Sequence, residues 1–203
     1  WPTNMITVFI VQKSAIKSQS TMAIVDPGSD RFFNLHVPWS SSVIYWDYGR
    51  TGSSYGRLDE SITSGGTSFS VNDYYLYEFS YGNSSSQNNA SNNQTYMEIK
   101  KNAIVLDYGS RSVTIPSDIN TTGAGYILNI GDDDSSSDRS FEGNIAEILI
   151  FNKDLSSEES ITINVYLSNK WGLSIDSDGD GIVDDYDIEL ADPNKWMVMP
   201  SVL

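Results

Sequence analysis

Short runs rich in β-branched and aromatic residues, each ending at Gly, Pro, Asn, Asp or Ser, limit what this chain can fold into. They cover residues 5–12, 21–25, 32–37, 43–48, 74–81, 96–100, 103–107, 126–130 and 145–151. Such repeated short strands, separated by turn residues, are typical of a β-sandwich or barrel. The alternation of Ile6, Val8 and Ile10 favours strands with one buried and one solvated face, hence antiparallel sheets.

Size and charge narrow the function classes. A chain of 203 residues suits one sandwich plus a short appendage. The formal charge of -15, with 12 scattered Lys and Arg residues, disfavours nucleic acid and anionic membrane surfaces. No apolar run approaches the ~18 residues that a membrane helix needs, so we expect no membrane insertion. Because Trp1 opens almost directly into a strand-like run, we expect this chain to be cut from a longer precursor.

Three further stretches differ from the strand pattern. Residues 83–95 are almost wholly Asn, Ser and Gln and predict a loop, and residues 132–138 predict an acidic loop. Residues 156–170 fit either a strand or a helix by periodicity alone. Ser156 followed by Glu159 forms a capping box, and the acidic pair Glu158 and Glu159 suits the positive end of a helix dipole. We therefore predict one C-terminal helix over 156–170.

The C-terminal motifs resemble those of laminin-G-like, concanavalin A-like domains. The resemblance rests on FEGNIAEILIFN at 141–152, on LSSEE at 155–159 and on YLSNKWGL at 166–173. It implies an all-β antiparallel jelly-roll β-sandwich over residues 1–173, ending in an acidic-capped helix. The family usually has one or two further strands before the point where this chain starts. The missing upstream chain, another subunit or a local rearrangement would then complete the sheet edge.

Residues 176–187 predict a calcium-binding loop, because oxygen-bearing side chains stand at positions 1, 3, 5, 9 and 12 and Gly181 stands at the sharp turn. The alternative is a solvated acidic linker. The D-x-D-x-D-G-x-x-D-x-x-D pattern resembles a thrombospondin type 3 repeat, so residues 174–203 are assigned as a calcium-binding linker segment. The predicted Ca²⁺ ligands are Asp176, Asp178, Asp180, the Ile182 carbonyl, Asp184 acting through water, and Asp187.

The sequence gives little support for catalysis. Glu142 and Glu147 are five residues apart, so a regular strand places them on opposite faces and they cannot form a glycosidase pair unaided. His36 is the single histidine and the chain has no Cys, and a lone histidine is usually structural, which favours a packed histidine. We expect no enzyme.

Several candidate ligand and modification sites remain. An aromatic-rich region could stack on sugar rings or pack in the core; its members are Trp39, Tyr45, Trp46, Tyr48 and Tyr55. A second calcium would use Asp132, Asp134 and Asp138, although their spacing matches no metal template and a hydrated loop is the alternative. Sequons for N-glycosylation begin at Asn83, Asn89, Asn93 and Asn120.

These observations favour a non-catalytic adhesion or glycan-binding module of a larger surface protein, with Ca²⁺ stiffening its C-terminal connector. Its expected partners are a glycan or cell-surface molecule and neighbouring domains or subunits, and its expected location is extracellular or at the cell surface. The first alternative is a structural spacer or filament-forming or layer-forming subunit. The second is a carbohydrate-active enzyme of jelly-roll fold, because fold alone never decides function.

Overall fold

The computed structural model describes residues 5–15, 20–25, 31–39, 42–51, 54–71, 73–82, 96–106, 127–132, 140–178, 182–184 and 187, with the backbone alone for 31–32, 49–51, 54–55 and 96. The strands in this part of the chain are β1 (Ile6–Ser14), β2 (Ser20–Val25), β3 (Arg31–His36), β4 (Val43–Thr51), β5 (Ser54–Ser61), β6 (Tyr75–Gly82), β7 (Tyr96–Lys101), β8 (Ile104–Val105), β9 (Ile127–Ile130) and β10 (Gly143–Phe151). The helices are a 3-10 turn at Ser64–Gly66 and α1 (Ser157–Trp171).

The first sheet has the strand order β10-β1-β6-β7-β8. Strands β1 and β6 pair antiparallel from Ile6 opposite Tyr81 to Gln12 opposite Tyr75, and β6 pairs antiparallel with β7. Strands β7 and β8 are joined by a two-residue turn in which Asn102 and Ala103 have φ values of 49° and 65°. Positive φ at both central residues matches the right-handed twist of a hairpin.

Both faces of β1 are buried, which differs from the one solvated face that its alternation predicts. Ile6, Val8 and Ile10 are fully buried on one face. On the other face, Phe9 and Val11 belong to a hydrophobic cluster with Leu76, Leu167, Leu173 and Ile175. Helix α1 supplies Leu167 to that cluster, so the helix covers the face that the alternation predicts to be solvated.

Helix α1 confirms the predicted C-terminal helix. Ser156 is its N-cap and accepts a hydrogen bond from the Glu159 N–H, while the Glu159 carboxylate accepts one from the Ser156 N–H. The helix ends at Gly172, whose left-handed φ of 63° is accessible without a Cβ clash. Both ends of the helix are therefore set by capping residues in the local sequence.

A buried polar cluster lies where α1 meets the first sheet, and Glu78 is at its centre with 3% of its surface exposed. The Ser160 hydroxyl donates to the Glu78 carboxylate at 2.7 Å, and Lys100 lies 3.2 Å from its other oxygen. The Asn164 amide donates to the same carboxylate at 3.5 Å. Burial alone would lower the pKa of Lys100, but the carboxylates of Glu78 and Glu98 outweigh it and raise that pKa.

The second sheet has the strand order β5-β4-β3-β2-β9. Its pairs from β2–β9 to β4–β5 are all antiparallel. One face carries the fully buried side chains of Phe33, Leu35, Trp46 and Tyr48. Strand β5 has no predicted counterpart, because Leu58 is the one large aliphatic residue in the run SYGRLDES.

The described architecture is antiparallel and almost wholly β, with one α-helix after the last strand, as the sequence predicts. The chain divides into two compact units. One contains most of the first sheet together with α1, and the other contains the second sheet. Neither described helix has the length and apolar composition needed to span a membrane.

Candidate functional site

One face of the second sheet carries a row of polar and aromatic side chains. Along β4, Ile44, Trp46 and Tyr48 are buried, whereas Tyr45 and Asp47 alternate with them and are half-buried. Cross-strand partners share a face. The register therefore gathers six residues, which we call the β3–β5 polar face: Asn34, His36, Tyr45, Asp47, Arg57 and Asp59.

A bidentate ion pair organises the middle of this polar face. Arg57 Nε donates to Asp47 Oδ1 at 2.5 Å, and Arg57 Nη2 donates to Asp47 Oδ2 at 2.7 Å. The Arg57 side chain is 40% exposed and the Asp47 side chain 15% exposed. The guanidinium also lies over the Tyr45 ring, with Cζ 5.0 Å from the ring centroid. This geometry holds a partly exposed guanidinium between a carboxylate and an aromatic ring.

Aromatic rings border one end of the polar face. Trp39 is half-buried, and its ring centroid is 6.1 Å from that of Tyr45 in an edge-to-face arrangement. The Trp39 ring also meets the His36 ring edge-to-face at 4.6 Å. Two backbone hydrogen bonds fix the Trp39 backbone, from its own N–H to the Val43 carbonyl and from the Ser42 N–H to the Trp39 carbonyl. These bonds tie the backbone of Trp39 to the start of β4.

Asn34 and His36 are the buried members of the polar face, and they form a hydrogen-bond chain with Ser20. The Ser20 hydroxyl donates to Asn34 Oδ1, and the Asn34 amide donates to His36 Nε2, both at 2.9 Å. The three side chains are at most 4% exposed. His36 is therefore a packed histidine within the polar face.

The aromatic residues predicted to bind a ligand divide into two groups. Trp39 and Tyr45 lie on or beside the β3–β5 polar face and are half-buried. Trp46 and Tyr48 are fully buried and pack with Phe33, so they contribute to the core instead of to a ligand platform. The side chain of Tyr55 lies outside the described residues.

The sequence alone does not reveal which polar residues are partners in this face. Arg57 and Asp59 lie on β5, a strand that the sequence does not predict. Only the β4–β5 register brings Arg57 opposite Asp47 and Asp59 opposite Tyr45. A pairing pattern between residues 43–51 and 54–61 would have been needed to find them.

The predicted calcium loop is partly described. Asp176 and Asp178 are half-buried, while Asp184 and Asp187 are 5% and 4% exposed. Both oxygens of Asp184 accept hydrogen bonds from Ser177, one from the N–H and one from the hydroxyl, each at 2.8 Å. Asp180 lies outside the described residues. Among the residues that are described, no three His, Cys, Asp or Glu side chains form a group able to hold a metal ion.

The chain just before and at the start of that loop packs into the core of the unit that contains α1. Leu173 and Ile175 belong to the hydrophobic cluster of α1 and β1, and Ile175 is 1% exposed. The Asp184 N–H donates to the Ile175 carbonyl at 2.7 Å. Leu173 and Ile175 therefore pack with α1 and β1, and the predicted division of the chain after residue 173 stays a prediction.

Two other predicted sites fall mostly outside the described residues. Asp132 is half-buried, and the Ser140 hydroxyl lies 3.5 Å from its carboxylate. Its predicted companions Asp134 and Asp138 are not described, so the second calcium stays a prediction. The same applies to the sequons at Asn83, Asn89, Asn93 and Asn120.

The carboxylate of Glu147, on β10, is bound to two side chains of α1. Lys170 Nζ donates to Glu147 Oε1 at 2.9 Å, and Trp171 Nε1 donates to Oε2 at 2.7 Å. Slight desolvation would raise the pKa of Glu147, but the hydrogen bonds from Lys170 and Trp171 outweigh it and lower that pKa. A general acid needs the opposite shift. Glu147 therefore links strand and helix and is poorly suited to acid catalysis.

No protein-family model matches the sequence, and no curated protein matches it either. Solved structures do match. The IT-sialidase CBM40 of Ruminococcus gnavus has a TM-score of 0.56 at 16% identity, over 80% of this chain and 84% of that one. The same CBM40 bound to α2,3-sialyllactose gives 0.53 at 16% identity, over 79% and 83% of the two chains. The NanB sialidase of Streptococcus pneumoniae gives 0.54 at 16% identity, over 78% of this chain and 24% of that chain.

At this level of identity the likeness shows the fold alone. It does not bear on the laminin-G-like or thrombospondin-like resemblances, which stay predictions. The predicted fold class is confirmed: the chain is an all-β, antiparallel jelly-roll β-sandwich with one C-terminal helix.

Proposed function

We propose that this chain is a non-catalytic glycan-binding module of a larger extracellular or surface protein. The observation that carries the proposal is the β3–β5 polar face with Trp39 at its border. Sugar rings need flat apolar surfaces for their C–H faces and fixed donors and acceptors for their hydroxyls. Trp39 and Tyr45 supply the rings, and the Asp47–Arg57 pair supplies acceptors and donors in a fixed orientation.

The similar structures add support of a limited kind. The Ruminococcus gnavus CBM40 has been solved with α2,3-sialyllactose bound, so the same fold accommodates a glycan in that protein. The site on this chain is argued from its own residues, because one fold hosts many functions.

Glycan-array screening followed by calorimetry tests the proposal. We expect Tyr45→Ala to weaken the strongest array hit at least tenfold, since it removes a ring and the surface that positions Arg57. Tyr74→Ala is the matched control, because Tyr74 is an exposed tyrosine outside the polar face, at 39% exposure. Circular dichroism of both variants checks that they fold. Equal weakening by the two variants, or an array without binding, would refute this site.

A calcium-stiffened connector is the second part of the proposal. Side-chain oxygens of Asp176, Asp178, Asp180 and Asp187 with the Ile182 carbonyl would hold Ca²⁺, a hard cation that prefers oxygen ligands. Asp184 and Asp187 are 5% and 4% exposed, so two carboxylates of the predicted loop lie away from bulk solvent, where a cation interacts with them more strongly than in water. The hydrogen bonds from Ser177 to both Asp184 oxygens suit a residue that acts on the ion through water.

Calorimetric titration with CaCl₂ tests the connector. We expect binding that Asp178→Ala and Asp180→Ala abolish and that Asp73→Ala, an exposed aspartate outside the loop, retains. Undiminished binding in the two loop variants would exclude these ligands.

A further inference from the structure

The charge arrangement of the β3–β5 polar face has a consequence for ligand class. We infer that this face selects neutral glycans and that Asp47 is the residue that sets this specificity, by occupying the guanidinium of Arg57. The inference rests on the proposed glycan-binding function.

The guanidinium of Arg57 is already paired with a carboxylate before any ligand arrives. A guanidinium is the group best suited to a sugar carboxylate, because its donors match both carboxylate oxygens. Here one edge of that fork, Nε and Nη2, is already taken by the two oxygens of Asp47 at 2.5 and 2.7 Å. The pair has no net charge, so the coulombic attraction toward a second carboxylate is largely cancelled.

A second carboxylate, that of Asp59, adds negative charge to the polar face. Asp59 lies opposite Tyr45 and two residues from Arg57 on the same side of β5. The polar face therefore carries two carboxylates and one guanidinium, a formal charge of -1 with neutral His36. The chain as a whole carries -15. Both the local and the long-range fields oppose an anionic sugar.

The same charged groups can form hydrogen bonds with the hydroxyls of a neutral sugar. A hydroxyl is both donor and acceptor, so it can donate to a carboxylate oxygen and accept from a guanidinium N–H at once. An Asp–Arg pair held flat on a sheet presents such acceptors and donors side by side, next to the Tyr45 and Trp39 rings. Neutral polyols match this arrangement without adding a charge that must be compensated.

The inference predicts that releasing Arg57 changes the ligand class. In Asp47→Asn the carboxylate becomes an amide of nearly the same shape, which leaves the guanidinium charge available. We expect the ratio of affinities, carboxylated over neutral, to rise at least tenfold in Asp47→Asn. Glu158→Gln on α1 makes the same change in net charge at an exposed site and controls for the long-range field.

The experiment uses the full chain and an array in which neutral oligosaccharides stand beside their carboxylated counterparts, such as lactose beside α2,3-sialyllactose, with calorimetry on the strongest pair. Wild-type preference for the neutral member, reversed or narrowed tenfold by Asp47→Asn and unchanged by Glu158→Gln, supports the inference. Wild-type preference for the carboxylated member, lost in Arg57→Gln, overturns the inference but leaves the glycan-binding function standing. An unchanged ratio in folded Asp47→Asn overturns it as well. Absence of binding across the whole array refutes both the function and this inference.

Discussion

Replacing Glu78 tests how helix α1 is held on the first sheet. Glu78 is 3% exposed and accepts hydrogen bonds from Ser160 and Asn164 on the helix, while Lys100 pairs with it from β7. We expect Glu78→Ala to destabilise the fold, because it leaves buried donors without their acceptor. Glu78→Ala leaves the apolar contacts of Leu167 and its cluster unchanged. The loss of stability in this variant therefore measures the polar contacts between helix and sheet.

The size of the effect follows from the contacts. Breaking a buried ion pair by removing one partner costs about 3–5 kcal/mol. Lys100 keeps Glu98 at 3.3 Å after the change, so the lower end applies and we expect a loss of about 3 kcal/mol in unfolding free energy. For a chain of this size that corresponds to about 6–12 °C in Tm. Glu78→Gln keeps the shape and loses the charge, and we expect about 1–2 kcal/mol.

Urea unfolding followed by circular dichroism measures these losses, with Glu142→Gln as a control at an exposed carboxylate, expected within about 0.5 kcal/mol of wild type. A double-mutant cycle between Glu78→Ala and Ser160→Ala measures the coupling through the 2.7 Å hydrogen bond, which we expect to be about 1–2 kcal/mol. A coupling below about 0.3 kcal/mol would show that the Ser160–Glu78 hydrogen bond does not help to hold the helix on the sheet.

Other residues give sharper single measurements. Burial lowers the pKa of Lys101 from 10.5 to about 8. Between these values the unfolded chain binds more protons than the folded one, so the Lys101 contribution to stability should rise with pH across that window. Lys101→Met should reduce this rise in urea titrations at pH 8, 9 and 10, and an identical slope would contradict the assignment. Ser156→Ala removes the helix N-cap and should cost about 1 kcal/mol by thermal melting, whereas an unchanged Tm would exclude a capping role. Trp46→Ala should cost about 3–5 kcal/mol in urea unfolding, and a loss below about 1 kcal/mol would contradict its full burial.

Sequence reasoning is strongest where local chemistry decides the structure. The strands predicted from apolar runs and turn residues are present in both sheets, and the capping box at Ser156 resolves the strand-or-helix ambiguity of residues 156–170 in favour of a helix. Both outcomes depend on residues that are near neighbours in the chain. The alternation in β1 is less informative, because a helix more than a hundred residues later covers its second face.

The candidate site is harder to predict, because its residues come together only through pairing between strands. Trp39 and Tyr45 stand out as aromatic residues, but Asp47 and Arg57 become partners only through the β4–β5 register. Strand β5 escapes prediction because it lies at the sheet edge and contains a single large aliphatic side chain, Leu58. Periodicity reports which face is buried and not which polar side chains meet across strands.

The burial of Ile175 bears on how the protein would respond to tension. Ile175 belongs to the hydrophobic cluster that contains Leu167 and Phe9, and its carbonyl accepts a hydrogen bond from the Asp184 N–H. A force that reaches Ile175 would therefore load helix α1 and β1 together. Displacing Ile175 from the hydrophobic cluster would weaken the packing of both elements, so tension at this one buried side chain would be felt in two parts of the unit.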